Sequence, residues 1–171
     1  MENNKTCRIL QLFATFFFAK IVSFGYIREC MGSKISEKTI MRDIKFLKDA
    51  GILQAKYSKK WKAYIPPDGD VYYGFCIDLD GEFSSPKLPE SKSQRMYMEK
   101  IIRLCTIMVQ VIMSEVENPI EWYREKYPNL SDRTRQRDFR LLQEIGYRVE
   151  YLPEDEDGPA GYYYQYPEKY C

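Results

Sequence analysis

Ile35-Ser36-Glu37-Lys38-Thr39-Ile40-Met41-Arg42-Asp43-Ile44-Lys45-Phe46-Leu47-Lys48-Asp49-Ala50-Gly51-Ile52 carries its own start and stop. Ser36 is an N-cap residue type, Glu37 puts negative charge in the first turn, and Gly51 supplies the left-handed residue that ends a helix. Ile40, Ile44 and Leu47 recur on one side at helical spacing, which leaves Lys38, Thr39, Met41, Arg42 and Lys45 over the exposed remainder. The same pattern is then written a second time. Leu130-Ser131-Asp132-Arg133-Thr134-Arg135-Gln136-Arg137-Asp138-Phe139-Arg140-Leu141-Leu142-Gln143-Glu144-Ile145-Gly146 repeats Ser, Thr, Arg-Asp, Leu and Gly in register, at an offset of 95 from Ser36 to Ser131. In a chain of 171 residues such a repeat predicts two small units.

Working outward towards the N-terminus, Ile9, Leu12, Phe13, Phe16 and Phe17 fall at helical spacing and predict a first helix from about Lys5 to Phe18. Leu104, Ile107, Met108, Val111 and Ile112 repeat it at the same offset. Both stretches are also apolar on the other side, through Leu10, Ala14 and Phe18 in one and Cys105, Val109 and Met113 in the other. A helix apolar nearly all round is buried on more than one face, which implies packing of the units on each other or a homodimer contact through these helices. Between the first helix and the opening stretch, Ser23 is suited to cap a short helix from Phe24 to Met31. Its counterpart is Asn118, followed by Pro119 at the favoured first helical position. Gly32-Ser33-Lys34 and Pro128-Asn129 make the turns into the repeated element.

After Gly51 the period changes from helical to alternating. Ile52 to Tyr57, a turn at Ser58 to Lys60, and Trp61 to Ile65 read as a β-hairpin; Tyr147 to Leu152, a longer loop Pro153 to Gly161, and Tyr162 to Tyr166 read as another. Val71 to Leu79 adds a strand, and Asp80 to Ser93 reads as a linker. Three helices and a hairpin, twice, is the order of a winged helix. The expected fold class is mainly α with β-hairpin wings, α+β, as two tandem winged helix-turn-helix domains at 1–66 and 94–171, joined by a linker with an extra strand at 67–93.

Net charge is +1, and its distribution says more than the sum. Residues 1–66 hold thirteen Lys/Arg against five Asp/Glu, residues 67–93 two against six, and residues 94–171 eleven against fourteen. The first unit is therefore basic and the second mixed. An odd cysteine count of five without C-x-x-C, and no histidine, argue against a disulfide scaffold and the usual zinc sites; reduced thiols in the cytoplasm are the expectation. The apolar run from Leu12 to Phe24 is broken by Thr15, Lys20 and Ser23 and is too short to span a bilayer, so no membrane association is expected. No enzyme is expected either. The usual nucleophile-and-base pairs lack their histidine, and no cysteine lies in an activating motif. Gly69-x-x-x-x-Gly74 continues into Phe75 rather than Lys-Ser/Thr, and Asp78-Leu79-Asp80-Gly81 lacks the distal ligands of a calcium loop.

The motif Ser36-x-x-Thr39-Ile40-x-Arg42-Asp43-Ile44-x-x-Leu47-x-x-Ala50-Gly51-Ile52 resembles the recognition helix of DeoR-type and WYL-type winged helix-turn-helix transcriptional regulators. The likeness covers residues 5–66 and, more weakly, 95–166. It implies a bacterial or phage regulator binding double-stranded DNA without a cofactor, with residues 36–50 in the major groove and a basic wing at 56–62. The chain departs from these regulators in three ways: no effector-sensing domain follows the winged helix, Arg135 stands where the motif has an aliphatic residue, and the second wing is acidic.

On such a helix Lys38, Lys45 and the wing residues Lys56, Lys59, Lys60 and Lys62 suit phosphates, as do the free amides near Ser36. Arg42 and Thr39 suit base edges, with Met41 on the same face. The corresponding candidates in the second unit are Arg133, Thr134, Gln136, Arg137 and Arg140. Adjacent helical residues face apart, so Arg42 and Asp43 need different partners; Arg8 is the candidate for Asp43, and Arg103 for Asp138. Two units suit adjacent sites about one turn, roughly 34 Å, apart. The acidic loop Glu154-Asp155-Glu156-Asp157 is repelled by phosphates and fits a basic surface on a protein partner, or is simply a solvated charge run. Tyr162 to Tyr166 read as a half-buried strand rather than a base-stacking platform. The rival readings are a plasmid-type replication initiator, a tandem winged-helix protein-interaction module of the chromosome-segregation kind, and a phage-encoded inhibitor.

Overall fold

Five of the six helices among the described residues begin where a side chain satisfies the first free amides. The computed structural model describes residues 4–165 apart from 33, 70–74, 78–84, 113–115, 117, 155 and 157–159. Gly74, most of the strand expected at 71–79, the turn at 78–81, Met113, Asp155 and Asp157 of the acidic loop and Tyr166 lie outside the described residues, as do the side chains of 76–77, 111–112 and 161–165. Helix α1 (Lys5–Phe18) follows Asn4, whose side-chain oxygen accepts from the Thr6 amide at 3.0 Å. Helix α2 (Phe24–Met31) follows Ser23, which accepts from Tyr26 N at 3.1 Å. Helix α3 (Glu37–Asp49) follows Ser36, which accepts from Thr39 N at 3.2 Å, and Gly51 behind it takes a φ of +78°. All three fall where cap residues and apolar spacing put them.

Ile40, Ile44 and Leu47 of α3 are buried, as are Ile9, Leu12, Phe13 and Phe16 of α1 and Ile27 of α2. Each such side chain contributes about 1.5–3 kcal/mol relative to an exposed one. Leu10 and Ala14, on the other side of α1, are buried too, while Phe18 at its end is 46% exposed. Two of the three residues on the second apolar side of α1 are therefore buried, and Phe18 is not. Among the described residues no helix is long and apolar enough to cross a membrane.

The first hairpin differs from the expected one. Strands β1 (Val22–Ser23), β3 (Lys56–Ser58) and β4 (Ala63–Ile65) form an antiparallel sheet in the order β1-β4-β3. Strand β2 (Leu53–Gln54) instead pairs with β5 (Cys76–Ile77), which falls inside the extra strand expected at 71–79. The chain changes sheets at the buried Ala55, whose carbonyl accepts from Lys48 Nζ at 2.7 Å and is thereby committed outside either ladder. The turn runs on through Trp61 and Lys62, with Lys62 at φ +49°, so Trp61 is an exposed turn residue and not the start of a strand. Phe16 fixes the sheet to α1, its ring edge-on to Tyr64 at 5.9 Å and to Phe75 at 4.8 Å.

Helix α4 (Lys92–Ile112) begins eight residues before the segment that repeats α1. The chain divides into units 1–102 and 103–171, so the boundary falls inside α4 rather than in the linker ending at 93. The cause is Tyr97, whose ring lies 5.7 Å from Phe46 and whose hydroxyl is 3.4 Å from Thr6 Oγ1, with Lys5 Nζ over both rings. The linker is also held, by the Lys87 amide donating to the Asp49 carbonyl at 2.7 Å.

In the second unit α5 (Pro119–Lys126) is capped by Asn118, which accepts from the amides of Ile120 and Glu121 at 3.2 Å each. Helix α6 (Asp132–Glu144) is capped by Ser131, and Gly146 behind it takes a φ of +104°. Leu104, Ile107, Met108, Phe139 and Leu142 are buried. Strands β6 (Arg148–Leu152) and β7 (Gly161–Gln165) pair antiparallel from Arg148↔Gln165 to Leu152↔Gly161, as the expected second hairpin does to within a residue. The architecture is α+β, with six helices among the described residues and short antiparallel sheets.

Candidate nucleic-acid interface

The outer face of α3 follows from its inner one. With Ile40, Asp43, Ile44 and Leu47 buried, helical spacing turns Lys38, Met41, Arg42 and Lys45 outward, and all four are exposed. Ser36 is exposed and Thr39 half-buried, with 3.0 Å between their hydroxyl oxygens, so Thr39 keeps its methyl for contact while its hydroxyl is occupied. Among the described residues Arg42 has no ion-pair partner, whereas Lys45 pairs with Asp49 one turn on. Glu37, in the first turn, is held by Arg28 at 3.1 Å. The hairpin turn exposes Lys59, Lys60 and Lys62, and Lys60 Nζ lies 5.8 Å from the Trp61 ring centre. Lys56, expected among the phosphate contacts, donates its ammonium to the Pro67 carbonyl.

Asp43 points the other way, as adjacent helical positions must. It is 2% exposed, and Arg8 donates to it through Nε at 2.6 Å and Nη2 at 3.3 Å. Arg103 meets Asp138, also 2% exposed, at 2.7 Å and 3.3 Å through the same atoms. This pair of forks locks α1 to α3 and α4 to α6, and leaves Arg42 and Arg137 outward. The second lock has a third member that the repeat does not reveal, because Arg28 occupies the corresponding place. Tyr123 donates its buried hydroxyl to Asp138 Oδ2 at 2.9 Å. Burial, and then the Asp138 charge, push that hydroxyl well above the usual tyrosine range, so it remains a donor. At Arg8 the hydrogen bond to Asp43 raises an already high pKa, so the charge is permanent.

Helix α6 presents Arg133, Gln136, Arg137 and Arg140 exposed at the same four positions, and Thr134 again lies against its cap, 3.1 Å from Ser131 Oγ. Arg135 does not join this face. It is 9% exposed and donates to Asp132 Oδ1 at 3.1 Å, while Arg124 grips both oxygens of the same carboxylate at 3.1 and 2.9 Å. These hydrogen bonds, from Arg124 first and Arg135 second, hold the Asp132 carboxyl down to about 2. The departure at Arg135 from an aliphatic is thus absorbed by a neighbouring acid. In the second hairpin loop Glu154 and Glu156 are exposed.

Comparison with family models, with curated proteins and with solved structures found no match. The likeness that bears on the site is internal, between α3 and α6.

Proposed function

We propose that this chain is a sequence-specific double-stranded DNA-binding protein, a transcriptional regulator made of two tandem winged helix-turn-helix units. In this reading α3 enters the major groove and the turn at Lys59, Lys60 and Lys62 is a basic wing on the backbone. The observation that carries it is the outward stripe Lys38, Met41, Arg42 and Lys45 on a doubly capped helix whose opposite face is anchored by a buried ion pair. A rigid helix with a cationic outer face suits a groove flanked by phosphates, and an arginine fork matches guanine O6 and N7. α6 carries a second such stripe.

Arg42→Ala is expected to weaken binding at the preferred site by about 1–3 kcal/mol while leaving random duplex nearly unchanged, measured by fluorescence anisotropy on both duplexes. An equal loss on both would demote Arg42 to a phosphate contact. The exposed Glu154 and Glu156 favour a second reading for the second hairpin alone, contact with a basic surface of a protein partner.

A further inference from the structure

We infer that the two units read related but unlike half-sites, and that the difference is set by Met41 in the first and Gln136 in the second. The inference rests on the DNA-binding reading and specifies its target: an asymmetric duplex site recognised by a single chain.

Helices α3 (Glu37–Asp49) and α6 (Asp132–Glu144) have the same length at an offset of 95. Their caps agree, Ser36 accepting from Thr39 N at 3.2 Å and Ser131 from Thr134 N at 3.3 Å. Their anchors agree as well, at 2.6 Å for Arg8–Asp43 and 2.7 Å for Arg103–Asp138. Start, rotation and end of each helix are therefore set alike within its own unit, and residues 95 apart occupy equivalent outward positions. On that face Lys38 stands with Arg133, Arg42 with Arg137 and Lys45 with Arg140, each a cation for a cation.

Met41 and Gln136 break the equivalence. Met41 is 54% exposed in the middle of the stripe, and Gln136 is exposed at the matching place. A methionine offers apolar contact, which suits a thymine methyl and satisfies no base-edge hydrogen bond. A glutamine amide donates and accepts together, which matches adenine N7 and N6. The half-sites thus share the guanine that Arg42 and Arg137 read and differ at a neighbouring base pair, thymine for α3 and adenine for α6. Both residues are exposed good helix formers, so exchanging them leaves the fold in place.

The test is selection of bound duplexes from a randomised pool by the full chain and by its Met41→Gln and Gln136→Met variants. The native chain is expected to enrich a two-part site with unlike halves. Met41→Gln should move the first half towards the second, with a preference for adenine of about five-fold or more at the position Met41 occupied. Gln136→Met should make the opposite change in the other half. Selection of the unaltered native site by both variants overturns the assignment of Met41 and Gln136 while leaving DNA binding intact. Enrichment of no sequence by the native chain overturns the inference together with the reading beneath it.

Discussion

Asp138→Ala is expected to destabilise the protein by about 3–5 kcal/mol, because it leaves the Arg103 guanidinium charged and nearly buried without its partner. The same change strands the Tyr123 hydroxyl, which donates to Asp138 from a buried position. Asp43→Ala removes the equivalent carboxylate from Arg8, which is about as exposed as Arg103, but it strands no buried hydroxyl; the loss should be smaller. Replacing all three members of the second lock by apolar residues, as Arg103→Met and Asp138→Leu with Tyr123→Phe, should recover most of the stability, since the penalty lies in the orphaned charge and hydroxyl more than in the lost attraction. Urea unfolding of the full chain followed by circular dichroism orders the three variants. An Asp138→Ala variant within about 0.5 kcal/mol of the native protein would mean that the carboxylate is an ordinary surface charge.

Phe16→Ala should be of similar size, about 3–5 kcal/mol, for a different reason. Phe16 is fully buried, and its edge-on contacts join α1 to strand β4 through Tyr64 and to the residue before β5 through Phe75. Truncation removes the transfer term and both ring contacts, and leaves a cavity between the helix and the sheet that bears the basic turn. Thermal unfolding by calorimetry measures it. A loss below about 1 kcal/mol would show that the core collapses around the gap.

The parts of this fold that could be read from sequence are those controlled by neighbouring residues. Ser23, Ser36, Asn118 and Ser131 start their helices because a short polar side chain beside free amides has one dominant use, and Gly51 and Gly146 end theirs through a positive φ. The offset of 95 extended this to tertiary structure, since Arg8 and Asp43 lie 35 residues apart, as do Arg103 and Asp138. What escaped depends on partners that no local pattern names. The break at Ala55 needs Lys48 on its carbonyl, and the two-residue strand Val22–Ser23 is too short to have a period of its own. The first turns of α4 have no counterpart in α1, so the repeat does not place them, and Tyr97 finds Phe46 and Lys5 only in three dimensions. The site was legible as a stripe of exposed positions. The occupation of Lys45 by Asp49, of Lys56 by Pro67 and of Arg135 by Asp132 was not, because each depends on a rotamer choice between solvent and a neighbour.

The claim that organises these observations is that the basic outer surface of the first unit meets a DNA backbone. Titration of random-sequence duplex with the full chain over a salt series tests it most directly. Affinity should fall steeply with salt, by a slope of about 0.9 in log K per phosphate contact. Neutralising Lys38, Lys59 and Lys60 together should make that slope shallower by up to about 3. Absence of binding at low salt, or a slope unchanged by the triple substitution, would contradict it.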